Sequence, residues 1–106
     1  MTHSPDPDAG RTLPIDLVER LSAWVGDVVV IDCTFPYVAI GTLGSLGKDF
    51  LELVDADMHD LRDSSTSREN YLVKTVRHGV IPTRRTLVFR MEHVVGISPL
   101  TEVVDQ

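Results

Sequence analysis

Between Trp24 and Val54 the chain reads WVGDVVVIDCTFPYVAIGTLGSLGKDFLELV, three apolar-rich runs separated by two short turns. They predict three consecutive β-strands, whose successive side chains point to opposite faces. In the first strand, Val28 to Thr34, residues Val29, Ile31 and Cys33 share one side while Val28, Val30 and Asp32 share the other. Phe35-Pro36 interrupts it, because proline cannot donate to a central ladder. Tyr37 to Leu46 predicts a second strand, with Gly41 in its middle marking a sharp bend. Gly44 and Gly47 flank the next turn, and Lys48 to Asp55 predicts a third strand with Leu51 and Leu53 facing inward. Val29, Ile31, Leu43, Leu51 and Leu53 are the expected centre of the core.

The period changes on both sides of this stretch. Ile15, Val18 (with Leu17), Leu21 and Trp24 recur at helical spacing, so Thr12 to Ala23 predicts a helix. Pro14 suits its first helical position, and Asp16 and Glu19 suit its positive end. Gly26-Asp27 then turns the chain into the first strand. Asp57 to Ser65 is acidic and polar and predicts a loop. Thr66-Ser67-Arg68-Glu69 has the form of a capping box with Thr66 as the cap, followed by a helix to His78 that Gly79 and Pro82 stop. Its few apolar residues, Tyr71, Leu72 and Val76, suit packing on the outer surface of a sheet. Thr83 to Arg90 predicts a fourth strand and Val94 to Ile97 a short fifth. Val103 and Val104 suggest one further extended segment.

Composition narrows the classes. The 106 residues fit one domain, with a core large enough to need no disulfide or structural metal. Residues 1–11, with Pro5, Pro7 and Gly10, are expected to be a mobile tail, 12–98 the folded domain (helix 14–23, inserted loop and helix 57–79), and 99–106 a C-terminal tail. No apolar run is long enough to span a bilayer and no signal-peptide layout is present, so no membrane partner is expected. The lone Cys33 excludes a disulfide framework within the chain and suits a cytoplasmic setting.

A formal net charge of −6 argues against generic nucleic-acid binding, but it conceals a segregation. Asp49 to Asp63 carries six acids against Arg62, and Thr66 to Arg90 carries six bases against Glu69. Adjacent blocks of opposite sign most commonly pair. In Asp55-Ala-Asp57-Met-His59-Asp60-Leu-Arg-Asp63, a helical turn would bring His59 to Asp63, as a cation site requires. A calcium loop would need a turn glycine and a distant Glu, which are lacking. A solvated acidic loop, or a partner for the basic helix, is the plainer reading, and no metal or other cofactor is expected. The four hydroxyls Ser64, Ser65, Thr66 and Ser67 near His59 have no oriented base, so no catalytic activity is expected. Arg68, Tyr71, Lys74, Arg77, Arg84, Arg85 and Arg90 are the candidate RNA-binding residues: six cations to meet phosphate, with Tyr71 for base stacking.

A helix followed by five short strands, with Gly26 opening the first and Gly41 inside the second, resembles the Sm and Sm-like (LSm) family, here as a divergent bacterial-type member with an insertion between strands three and four. The first family motif is similar to Leu21–Val54 through Gly26, Val29, Ile31, Gly41-Thr42-Leu43, Leu51 and Leu53, and the second to Val88–Ile97. The resemblance implies a mainly β, SH3-like, strongly bent five-stranded barrel and assembly of copies through strand edges. It also implies where an oligo-U pocket would lie. There the family's Asp falls on Leu46 or Gly47 and its Asn on Phe50 or Leu51. In the Arg-Gly-Asn turn only Arg90 is kept, followed by Met91 and Glu92. Two functions remain open: a homo-oligomeric Sm-like scaffold that binds a protein partner, or an atypical RNA-binding protein using the basic helix and strand.

Overall fold

The protein is described from a computed structural model covering residues 15–62 and 67–104. The expected tail over 1–11, Pro14, Asp63 and the run from Ser64 to Thr66 lie outside the described residues. The elements are α1 (Leu17–Ser22), β1 (Val28–Cys33), β2 (Tyr37–Leu46), β3 (Phe50–Asp60), α2 (Arg68–His78), β4 (Arg84–Arg90) and β5 (Val94–Pro99), with single 3-10 turns at Met91–His93 and Leu100–Glu102. The strands form one antiparallel sheet in the order β4-β3-β2-β1-β5. The fold is mainly β, with a helix before the sheet and another between the third and fourth strands, as the sequence pattern predicts.

The sheet curls because β2 and β3 are mismatched by one residue where they cross. Ile40 faces Asp57 and Thr42 faces Val54, so Gly41 lies opposite both Asp55 and Ala56. The extra residue is a β-bulge, which bends a strand and increases its twist. Asp55 supports it in the left-handed region, at φ 49°. Gly41 permits it sterically, since a Cβ there would stand 2.9 Å from the Ala56 Cβ and 3.0 Å from its Cα.

Two apolar layers result, one on each face. Val29, Ile31, Ala39, Leu43, Leu51, Leu53, Ala56 and Phe89 fill the inside of the curl, with Trp24, Met58 and Ile97 packed around them. The five residues expected at the centre are all fully buried. On the outer face Val30, Val38 and Ile40 are covered by Leu72 of α2, flanked by Tyr71, Val80, Leu100 and Val103. The central strands are thus apolar on both sides, and α2 packs on the outer surface.

Four expectations are corrected. The first helix begins at Leu17, because the Asp16 carboxylate accepts the Glu19 N–H at 2.7 Å and so caps it. Ser67, not Thr66, caps α2, its hydroxyl accepting from the Asn70 N–H at 3.1 Å. The acidic run is not a loop from Asp57: β3 continues to Asp60, with Met58 opposite Ala39, His59 opposite Val38 and Asp60 opposite Tyr37. Alternation explains it, for Ala56 and Met58 face the inner core while Asp57 and His59 face the side α2 covers. Finally, β5 runs to Pro99 rather than ending at Ile97, and a 3-10 turn follows at Leu100–Glu102; Val103 beyond it has extended backbone angles, as expected.

Candidate assembly edges and the β4–β5 turn

Strands β4 and β5 are the two ends of the sheet, each paired on one side only among the described residues: β4 to β3, β5 to β1. An edge strand presents a row of backbone donors and acceptors to whatever lies beside it. Both edges also present an apolar side chain. Val88 on β4 is 60% exposed and Val95 on β5 is 74% exposed. Val95 owes its position to a second irregularity: Gly96 faces Asp32 and Val94 faces Cys33, so Val95 has no partner across the ladder.

The 3-10 turn at Met91–His93 holds the two edge strands in place. Its Met91 N–H donates to the Asp49 carbonyl at 2.8 Å, and its His93 carbonyl accepts from the Thr34 N–H at 2.9 Å. The β2–β3 loop and the β1–β2 turn are thereby tied to the same point, which fixes the curl. Two depressions flank it. A shallow one is lined by Lys48, Asp49, Arg90, Met91 and Glu92. A groove of about 550 Å³ beside the β4 edge is lined mainly by Cys33, Phe35, Tyr37, Met58, Val88 and Phe89. Burial, with Asp32 adding to it, pushes the Cys33 thiol up to about 11, so it stays protonated and a poor nucleophile near neutrality.

The basic residues are distributed over α2 and β4. Arg68 donates from Nε and Nη2 to the Asp32 carboxylate at 2.8 and 2.6 Å, tying the start of α2 to β1. Tyr71 is not open for base stacking: its ring lies on His59 at 4.6 Å between centroids, and its hydroxyl donates to Asp57 at 2.7 Å. Burial, and then that carboxylate, push the hydroxyl above the usual phenol range, so it remains a donor. Lys74 lines a small pocket beside Asp57 and His78, and Arg77 ends α2. On β4, Arg84 and Arg90 share a face with Val88, while Arg85 alternates to the other. Arg90 stands 3.6 Å from Glu92 with both exposed.

The acidic string is used structurally. Asp57 accepts from two neutral hydroxyls, Tyr71 and Thr83, the latter at 2.8 Å. Arg62 bonds Asp60 from Nε, Nη2 and its own backbone N–H, and holds that carboxyl down to about 2. β3 stays extended through Asp60, Asp63 lies outside the described residues, and no group of three metal-ligating side chains occurs among those that are described. The sequence reading missed Asp32 as the partner of Arg68 and the Asp57–Tyr71–Thr83 cluster. The alternation of Ala56 and Met58 with Asp57 and His59 was the signal for the second.

No protein-family model and no curated protein matches the chain. Solved structures do. An Sm protein of Pyrococcus abyssii, solved in complex with a uridine heptamer, is 17% identical, with 80% of this chain and 99% of that one aligned at a TM-score of 0.55. A heptameric archaeal Sm protein is 25% identical over 76% of this chain and 94% of its own, at 0.51. The SmAP1 heptamer of P. aerophilum is 25% identical over 78% and 90%, at 0.52. The chain has the Sm-like fold. Among the described residues no helix is long and apolar enough to cross a membrane.

Proposed function

We propose that this chain is a non-catalytic Sm-like scaffold, with residues 12–98 as its unit, that assembles with copies of itself by pairing β4 of one copy with β5 of the next. The carrying observation is the pair of sheet edges left open among the described residues, each bearing an exposed valine. The heptameric state of two structural neighbours supports the same reading. In this reading the assembled body works in the cytoplasm as a platform for another protein. RNA fits less well, because Arg68 is committed to Asp32, Tyr71 to Asp57 and His59, and Arg90 lies beside Glu92.

Sedimentation of the wild type against Val88→Lys and Val95→Lys tests it. The wild type should sediment as a multimer, and either lysine, by placing an unpaired charge at the edge, should release particles of 11.8 kDa. A wild-type monomer at tens of micromolar, or variants that assemble unchanged, would overturn the proposal.

A further inference from the structure

We infer that the apolar groove beside β4 is the seat of a second copy of this chain: it receives Val104 and the start of α2 from the copy whose β5 lies on that edge. This rests on the edge pairing proposed above, and it follows from the direction of the strands. Four ladders join β4-β3-β2-β1-β5 and all are antiparallel, so β4 and β5 run the same way within one sheet. An antiparallel ladder is the more stable per residue, and this sheet uses that type throughout. Strand direction and strand order together fix which face of a sheet is uppermost. To lay its β5 antiparallel on β4, with its β1 on the far side, the second copy must be turned over. The outer face of the incoming copy therefore continues the inner face of the receiving one.

The two faces that meet are complementary. On the receiving side the inner core, through Cys33, Met58 and Phe89, opens into the groove of about 550 Å³, where Phe35 is 75% exposed. Arg90 and His93 also line it, and among the described residues no carboxylate does. Arg90 stands 3.6 Å from the exposed Glu92, a pairing that costs little to rearrange. On the incoming side β5 turns Ile97 to the inner core and Ser98, opposite Val30, to the outer face. Beside Ser98 a depression of about 270 Å³ is lined by Glu69, Val73 and Val104, among others. Val103 is used within the chain, on the outer layer, but Val104 is left 72% exposed. The Glu69 side chain is 76% exposed, and Glu102 is exposed too. An apolar side chain flanked by carboxylates thus meets an apolar groove flanked by an arginine and a histidine, which fixes register as well as attraction. Each copy gives one such face and receives another, as a head-to-tail interface requires.

Photo-crosslinking of the 106-residue chain with p-benzoylphenylalanine in place of Val104 tests the inference, in an equal mixture of light and heavy-isotope-labelled copies. The fold accepts the probe because Val104 is exposed in the single chain. Crosslinks should join light chains to heavy ones and fall within residues 33–37, residues 88–93 or at Met58. In sedimentation, Val104→Asp should raise the dissociation constant of the assembly by about tenfold or more, since a carboxylate then enters an apolar groove. Val104→Leu should leave it no weaker than wild type. An assembled protein whose crosslinks stay within one copy, or fall elsewhere on its neighbour, overturns this inference and leaves edge pairing standing. So does an assembly that Val104→Asp does not weaken. A wild type that stays monomeric removes both readings together.

Discussion

At Gly41 one missing atom sets the curvature of the sheet. A methyl group there meets the Ala56 Cβ at 2.9 Å and its backbone at 3.0 Å, with the Leu53 Cβ at 3.2 Å, so no flexible side chain can yield. Gly41→Ala should cost about 1–3 kcal/mol, read as a lower urea midpoint, because overpacking forces backbone shifts. An unchanged midpoint would show that the bend does not depend on this contact. The glycine was legible in the sequence because it sits in the middle of a predicted strand, directly after the apolar run Tyr37-Val38-Ala39-Ile40. Its counterpart was not: nothing local marks Asp55 as the residue that takes the left-handed conformation, since only pairing with β2 creates the bulge. Tyr71 carries a similar lesson, having the composition of a stacking residue and the geometry of a bolt. Tyr71→Phe should lower stability by about 1–2 kcal/mol, the cost of leaving Asp57 one donor short; a melting temperature equal to wild type would contradict that. Alkylation of native Cys33 should be slow at pH 8 and accelerate as pH approaches about 11, since only the thiolate reacts. A rate already at its plateau by pH 9 would refute the burial of that thiol.

Among elements, α2 and the end of β3 explain each other. Counting acids favoured a loop from Asp57, whereas the strand continues because Met58 pairs with Ala39 and packs on the inner core. The charged residues lie on the other face, and α2 lands there. Periodicity was the better guide than charge, and it was readable in Ala56-Asp57-Met58-His59. The helix itself was read correctly, but its cap is Ser67, one residue beyond the expected Thr66. The first helix was overextended for a related reason, since Asp16 was taken as a first-turn acid when it serves as the cap. Leu72 is the buried apolar side chain of α2, so Leu72→Ala should destabilise the protein by about 2–4 kcal/mol in chemical unfolding. A negligible change would mean that the helix contributes no core.

For the whole molecule, the sheet order matters more than any residue. Curling brings β4 and β5 near through the Met91–His93 turn but leaves them as ends, with Val88 and Val95 outward. The sequence showed the five strands and their inward side chains; it could not show which backbone edges stay open, because that depends on pairing order. The basic block was legible as composition but not as a surface, since folding divides it between α2 and two faces of β4. Short oligo-uridine should therefore show no measurable binding near physiological salt. Salt-sensitive binding lost in Arg84→Glu/Arg85→Glu would instead support RNA as the ligand. The most direct test of the account is the native mass of the pure 106-residue chain in volatile buffer. Edge pairing requires a discrete whole-number multiple of the 11.8 kDa chain that survives dilution to low micromolar concentration. A single species at one chain mass across that range would contradict it.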